Sequence, residues 1–198
     1  KEVIISSGSI ERPLVFGNND TPGVVLASAA KEYLKIYGVL VGKKPLIFTN
    51  NDSAYETAIE FKKNGILPVV LDTRNNVESE IIEEAKNMGI DIKFSHVVVA
   101  ARGYKKVKYA EISKISEDKK ELGKIENINC DCICVSGFWT PTIHLASQSG
   151  NKTKFDEKID AFVPGTSKQK ETTLGSAKGI FTLEETLKSS FEAGNEIS

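Results

Sequence analysis

The stretch that most constrains the fold is PLIFTNNDSAYETAIEFKKNGILPVVLDTR, residues 45–74. A short apolar run at 46–48 ends in a polar turn. Residues 53–64 follow with helical spacing, carrying Tyr55, Ala58, Ile59 and Lys62 along one side. Gly65 stops the helix, and a second apolar run at 68–71 ends in Asp72. A strand, turn, helix and strand, with an acid about 20 positions after the turn, is the geometry of a dinucleotide-binding half. Asp72 would accept hydrogen bonds from an adenosine ribose. The turn Thr49-Asn50-Asn51-Asp52-Ser53 would present helix N-terminal amides to a pyrophosphate.

That turn contains no glycine, although glycines normally permit the tight bend and the close approach of phosphate. Asn50 or Asn51 would then have to supply the left-handed conformation. Asp52 sets a negative charge where a phosphate would sit, and Asp52 or Ser53 is equally suited to capping the helix. Two readings stay open: a phosphate cradle, or a capped helix in a vestigial nucleotide fold.

At 198 residues the chain is long enough for one domain or two small ones. No run approaches the ~20 apolar residues of a membrane span. A formal charge of −1, with lysines and acids interspersed, argues against nucleic acid as a partner. The densest basic cluster, 102–108, reads as a solvated face of a strand pair. Three cysteines fall at 130, 132 and 134. The run 130–136 reads as one strand with all three sulfurs on the same face. They form no zinc site and no unstrained disulfide, and read as small buried hydrophobes of a reducing, cytoplasmic compartment.

Elsewhere, residues 3–6 read as a short strand. Thr21-Pro22 opens a helix through Tyr37 that Gly38 closes. Residues 77–87 form another helix. Strands are expected at 92–94, 97–101, 106–112 and 125–128, with a hairpin turn at 102–104. A helix is placed at 141–147, with short strands near 153 and 161. The polar run 166–172 reads as a flexible excursion. A last helix spans 183–192, capped by Thr182 and stopped by Gly194. The expected class is α/β: a Rossmann-like nucleotide-binding domain with an antiparallel meander, residues 41–133. It is inserted in a partial second nucleotide-binding domain formed by 1–40 and 134–198.

His96 and His144 are the only imidazoles; the first suits a strand edge or turn, the second a partly buried structural place. A central strand denies Cys132 the exposed, electropositive setting of a nucleophile. No residue is assigned a catalytic or metal-binding role.

Four motifs carry a family resemblance: VIISSGSIERP (3–13), NNDTPGVVLASA (18–29), FTNNDSAY (48–55) and GFWTPTIHL (137–145). The first resembles a segment of the two-dinucleotide-domain, disulfide-reductase-like flavoproteins. The others are similar to the α subunits of heterotetrameric sarcosine oxidases, in which the glycine-free turn recurs. The resemblance covers essentially the whole chain. It implies part of a flavoenzyme complex that oxidatively demethylates sarcosine to glycine, with NAD bound by the α subunit. Flavins are expected in the β subunit and tetrahydrofolate in a domain outside this chain. The implied partners are the β and smaller subunits, with the chain inactive alone. Ser7, Gly8 and Ser9 would pass close to the outer dinucleotide. Gly175 and Ser176 stand where relatives carry Gly-Asp, and Ser176 lacks the acid. Thr49, Asn50, Asn51, Ser53 and Asp72 would form the inner site. A non-catalytic docking scaffold and an opine-oxidase-like α subunit are the alternatives.

Overall fold

The computed structural model describes residues 2–197, without the side chain of residue 197. The chain opens with β1 (Val3–Ile5) and β2 (Ser9–Glu11), and then builds a compact unit over Glu11–Phe138. The second unit comprises the chain on either side.

The inner unit contains β3 (Val24–Leu26), α1 (Ala27–Tyr37), β4 (Pro45–Thr49), α2 (Ser53–Lys63), β5 (Val69–Asp72), α3 (Glu80–Asn87) and β6 (Asp91–Phe94). It continues through β7 (His96–Arg102), β8 (Tyr109–Ile115), β9 (Leu122–Asn129) and β10 (Cys132–Ser136). Five strands form a parallel sheet in the order β3-β10-β4-β5-β6. The antiparallel meander β7-β8-β9 forms its own sheet.

Alternation along the strands divides the interior into two layers. Ile47, Val70, Cys132 and Cys134 pack with α1, α2 and α3, through Ala30, Tyr55, Phe61 and Ile82. Leu46, Phe48, Leu71, Ile133 and Val135 pack with the meander, through Val98, Ala101, Ala110 and Ile112. Helices on one face and a meander on the other bury the central strands on both sides, which is why they read as unbroken apolar runs. Phe16 closes the meander side, edge-on to Phe48 at 5.8 Å between ring centroids.

Several boundaries move from the sequence expectation. Val24–Leu26 is a strand beside β10, so α1 starts at Ala27, not near Thr21. Because that strand belongs to the parallel sheet, the compact unit begins at Glu11, and the expected boundary at 41 lies inside it. The carboxylate of buried Glu11 accepts from the Ser28 amide (2.9 Å) and hydroxyl (2.6 Å), placing negative charge at the start of α1. Cys130 precedes β10 and packs with the meander, whereas Cys132 and Cys134 face the helices, so the three sulfurs do not share a face. The cause is Asp131: its carboxylate accepts from the Lys43 and Lys44 amides and bends the chain before the strand starts.

The other unit adds β11 (Trp139–Pro141), α4 (His144–Gln148), β12 (Lys152–Asp156), β13 (Ala161–Thr166), β14 (Glu171–Thr173) and α5 (Leu183–Ile197). β14 pairs in parallel with β1, so the end of the polar run at 166–172 is ordered as a strand rather than a free excursion. β12 and β13 form a hairpin with Phe155 and Phe162 edge to face at 5.3 Å. α5 is capped by Thr182, whose hydroxyl accepts from the Glu185 amide and donates to the Glu185 carboxylate. The helix runs through Gly194 instead of stopping there. His144 is exposed at the start of α4, not partly buried. His96 begins β7, with Nδ1 2.6 Å from the Phe94 carbonyl.

Candidate functional site

In the inner unit, Thr49, Asp72 and Ser136 end three adjacent parallel strands in register. The carboxyl ends of such strands are where doubly wound folds bind ligands. Here the chain's own side chains fill the position. Asn51, 5% exposed, accepts from the Ser53 amide (3.0 Å) and hydroxyl (2.6 Å) through Oδ1. Its Nδ2 donates to the Ser136 carbonyl (3.2 Å), the Ser136 hydroxyl (3.1 Å) and Oδ1 of Asn50 (3.1 Å). Thr49 closes the turn from behind, accepting from the Asn51 amide and donating to its carbonyl.

The helix therefore takes its cap from Asn51, not from Asp52 or Ser53 as the sequence suggested. Neither Asn50 nor Asn51 adopts a positive φ. The amide of Ser53, one of the groups a pyrophosphate would engage, is satisfied by a side-chain oxygen.

Asp72 is 0% exposed. Oδ2 accepts from the Tyr55 hydroxyl at 2.8 Å and from Arg74 Nη2 at 2.7 Å. Oδ1 accepts from the Arg74 amide (2.9 Å) and Nε (3.0 Å). The acceptor positions expected for a ribose are thus taken. The same Nη2 lies 2.7 Å from Asp52 Oδ1, so one guanidinium bridges both carboxylates. The bare repulsion between Asp52 and a bound phosphate, read from the sequence, is offset by this cation. Burial, then the Asp72 charge and hydrogen bond, push the Tyr55 hydroxyl far above its ordinary range, so it stays a neutral donor. The residues here do not fit a dinucleotide without displacing Asn51 and Arg74.

In the outer unit, β1 and β14 run in parallel and lead into Gly8 and Gly175. Both glycines have positive φ, +76° and +61°, which side-chain-bearing residues rarely adopt. A Cβ on Gly8 would come within 4.0 Å of Ser176 Oγ, so the turn at Gly8 lies beside Gly175-Ser176. Ser7 donates to the Thr142 carbonyl at 2.7 Å, and the Thr142 amide to the Gly8 carbonyl at 2.9 Å. Two glycines just past the ends of parallel strands, each without a side chain, suit close approach of a cofactor. Gly8, Gly175 and Ser176 fit that role.

Sequence reasoning missed Arg74, Tyr55 and Ser136 as parts of the inner arrangement. The run Asp72-Thr73-Arg74 was the available signal, since an arginine two residues after a buried acid can fold back on it.

No protein-family model matches the chain. Over 182 residues, 91% of this chain, it is 34% identical to the sarcosine oxidase subunit alpha of Corynebacterium sp. (strain P-1), covering 19% of that protein. It is 33% identical to the sarcosine oxidase subunit alpha of Rhizobium meliloti (strain 1021) over 178 residues, 89% of this chain and 17% of that one. Thioredoxin reductase of T. acidophilum superposes on 100% of this chain and 66% of its own, with a TM-score of 0.77 at 17% identity, a likeness of fold alone. The chain spans about a fifth of the length of the curated relatives it matches. The motif resemblance is borne out: the chain has the α/β fold of the disulfide-reductase-like proteins and is similar, over nine-tenths of its length, to an internal segment of the sarcosine oxidase α subunit.

Proposed function

We propose that the chain forms the central nucleotide-fold segment of the α subunit of a sarcosine-oxidase-like flavoenzyme complex, contributing to its NAD-binding region through the outer unit. The inner unit is a closed, structural copy of a dinucleotide half. Flavins belong to a partner subunit and tetrahydrofolate to a region outside this chain. The complex demethylates sarcosine oxidatively to glycine, and it works in the cytoplasm.

The observation that carries this reading is the contrast between two sets of strand ends. One is filled by Asn51, Arg74 and Tyr55. The other presents Gly8 and Gly175 in conformations that keep side chains away. Bound NAD would supply a hydride acceptor. The chain's part is to leave room along Gly8 and Gly175 and to offer the Ser176 hydroxyl as a hydrogen-bonding group. None of its residues need touch the amine.

NAD titration by calorimetry on the full-length α subunit tests this. Gly8→Val should weaken binding at least tenfold, because the branched side chain is strained at positive φ and projects toward Ser176. Asp52→Ala should leave affinity within about twofold. The reverse pattern would place the cofactor in the inner crevice and overturn the assignment. The closed inner crevice also favours a second reading, in which the whole segment is a docking scaffold. NAD affinity indifferent to both substitutions would support it. Sarcosine-dependent peroxide production is expected from the assembled complex and not from this chain alone.

A further inference from the structure

At the opposite ends of the same strands, the inner unit carries a second surface that the reading above does not use. Two adjoining cavities, of about 530 and 520 Å³, share Lys106 and Asp131 on their walls. Lys44 and Lys108 line the first, and Lys43 with Leu40 the second. With Lys105, five exposed lysines gather here in a chain whose formal charge is −1. Among the described residues, none lies within ion-pair distance of a carboxylate. Asp131, the acid among them, is committed to backbone: its oxygens accept from the Lys43 and Lys44 amides at 2.9 and 2.8 Å.

The backbone bearing these lysines is braced. The Val107 amide donates to the Pro22 carbonyl at 2.9 Å, the Lys108 amide to Arg102 at 2.8 Å and the Asp131 amide to Lys44 at 3.2 Å. A Cβ on Gly42 would lie 2.5 Å from Asp131 Oδ1 and from Cys132 Sγ, so the loop is pressed against the strand start. The positive charges thus sit on a fixed frame, at low ordering cost to a partner.

Beside them, the end of α1 and the following loop expose Tyr33, Ile36, Tyr37, Val39 and Leu40, with Tyr37 at 69%. Tyr33 and Tyr37 hold their rings 6.2 Å apart. Leu40 joins this apolar patch to the second basic cavity. An exposed aromatic and aliphatic patch beside a cluster of like charges is the anatomy of a protein-binding surface.

We infer that this end of the inner unit is a docking surface for an acidic, apolar-centred face of a partner polypeptide. Its carboxylates meet Lys43, Lys44 and Lys106, and its apolar side chains cover Tyr37 and Leu40. Charge complementarity selects an acidic occupant, since five lysines against the one carboxylate of Asp131 repel a basic one and the apolar patch gives a free polyanion nothing to bury. This rests on the reading of the chain as part of a multi-subunit enzyme.

The test is acetylation of lysines in the assembled enzyme and in the full-length α subunit alone, read by mass spectrometry, together with carbodiimide cross-linking. Lys43, Lys44 and Lys106 should be protected at least tenfold on assembly and should cross-link to Asp or Glu of another subunit. Lys43→Glu with Lys106→Glu should leave the circular dichroism of the α subunit unchanged and weaken assembly at least tenfold; Lys106→Arg should not. An assembled, sarcosine-oxidising enzyme whose lysines stay reactive would overturn the docking surface alone. A full-length chain that purifies without partners and keeps them reactive would overturn both readings. Cross-links only within the α subunit, or tight binding of a mixed-sequence oligonucleotide lost in the double variant, would also refute the assignment.

Discussion

Arg74 grips Asp72 through two nitrogens, with Nε 3.0 Å from Oδ1 and Nη2 2.7 Å from Oδ2. Asp72 is wholly buried and Arg74 about a fifth exposed. A buried carboxylate is tolerated only where donors replace its water, and here Tyr55 and the Arg74 backbone supply the rest.

Removing one partner of such a pair strands the other. Arg74→Ala should lower stability by about 3–5 kcal/mol, read from urea melting of the isolated chain. Tyr55→Phe, which removes one neutral donor to an ion, should cost about 1.5–3 kcal/mol. Equal and small losses in both would mean that Asp72 finds water or another donor in solution, and the closed-crevice reading would weaken with it.

Asn51 joins the start of α2 to the end of β10, two elements 85 residues apart in sequence. Asn51→Ala removes the acceptor of the Ser53 amide and leaves Ser136, which is 0% exposed, without this donor. A loss of about 1–3 kcal/mol is expected. Asn51→Asp keeps the helix cap and forfeits the donation to Ser136, so it should fall between the two. If the aspartate variant proves no better than alanine, the lost donation and the repulsion of its carboxylate from the Ser136 carbonyl outweigh the cap.

How far the sequence reached depended on the range of the interaction. β4, α2 and β5 were legible because their apolar spacing is local and Gly65 punctuates it. β3 was not: Thr21-Pro22-Gly23 reads as a helix opening, and only pairing with β10, more than a hundred residues later, makes Val24–Leu26 a strand. Cys130 was misplaced because a period of two was carried through Asp131, where side-chain bonds to Lys43 and Lys44 bend the chain. The candidate residues Thr49, Asn51, Ser53 and Asp72 do assemble at the strand ends. That they bond to each other rather than wait for a ligand depends on Tyr55, Arg74 and Ser136 arriving from separate elements. Gly8 and Ser176 meet only through the β1–β14 pairing, which composition near 166–172 hides.

The cysteines should be inert in the folded protein. All three are free and buried. Burial first, then the neighbouring Cys132 and Asp131 charges, push the Cys130 thiol up to about 12. Cys134 is raised as well, by its hydrogen bond with Cys132 and by burial. Thiolate is the reactive form, so iodoacetamide at mildly alkaline pH should label none of them until guanidinium chloride unfolds the chain. Fast labelling of Cys130 in the native protein would show that its loop opens.

Asp131 should make stability fall in acid. Burial on its own would raise its pKa, but the amides of Lys43 and Lys44, with the Lys106 charge, outweigh that and hold the carboxyl below the ordinary aspartate value. A folded-state pKa below the unfolded value near 3.9 stabilises the native state above that value. The contribution is lost as pH falls from about 4 through the lower folded pKa. Asp131→Asn retains an acceptor for one of the two amides, so at neutral pH it should cost about 1 kcal/mol. Its stability should also change less than that of the unaltered chain between about pH 5 and pH 2. Urea midpoints measured across that range give both quantities. Parallel curves for the two proteins would mean that the loops at Lys43 and Lys106 do not depend on the Asp131 charge. A flatter curve for the variant, with Lys43 and Lys106 acetylated faster in the isolated α subunit, would identify Asp131 as the strut of that basic face.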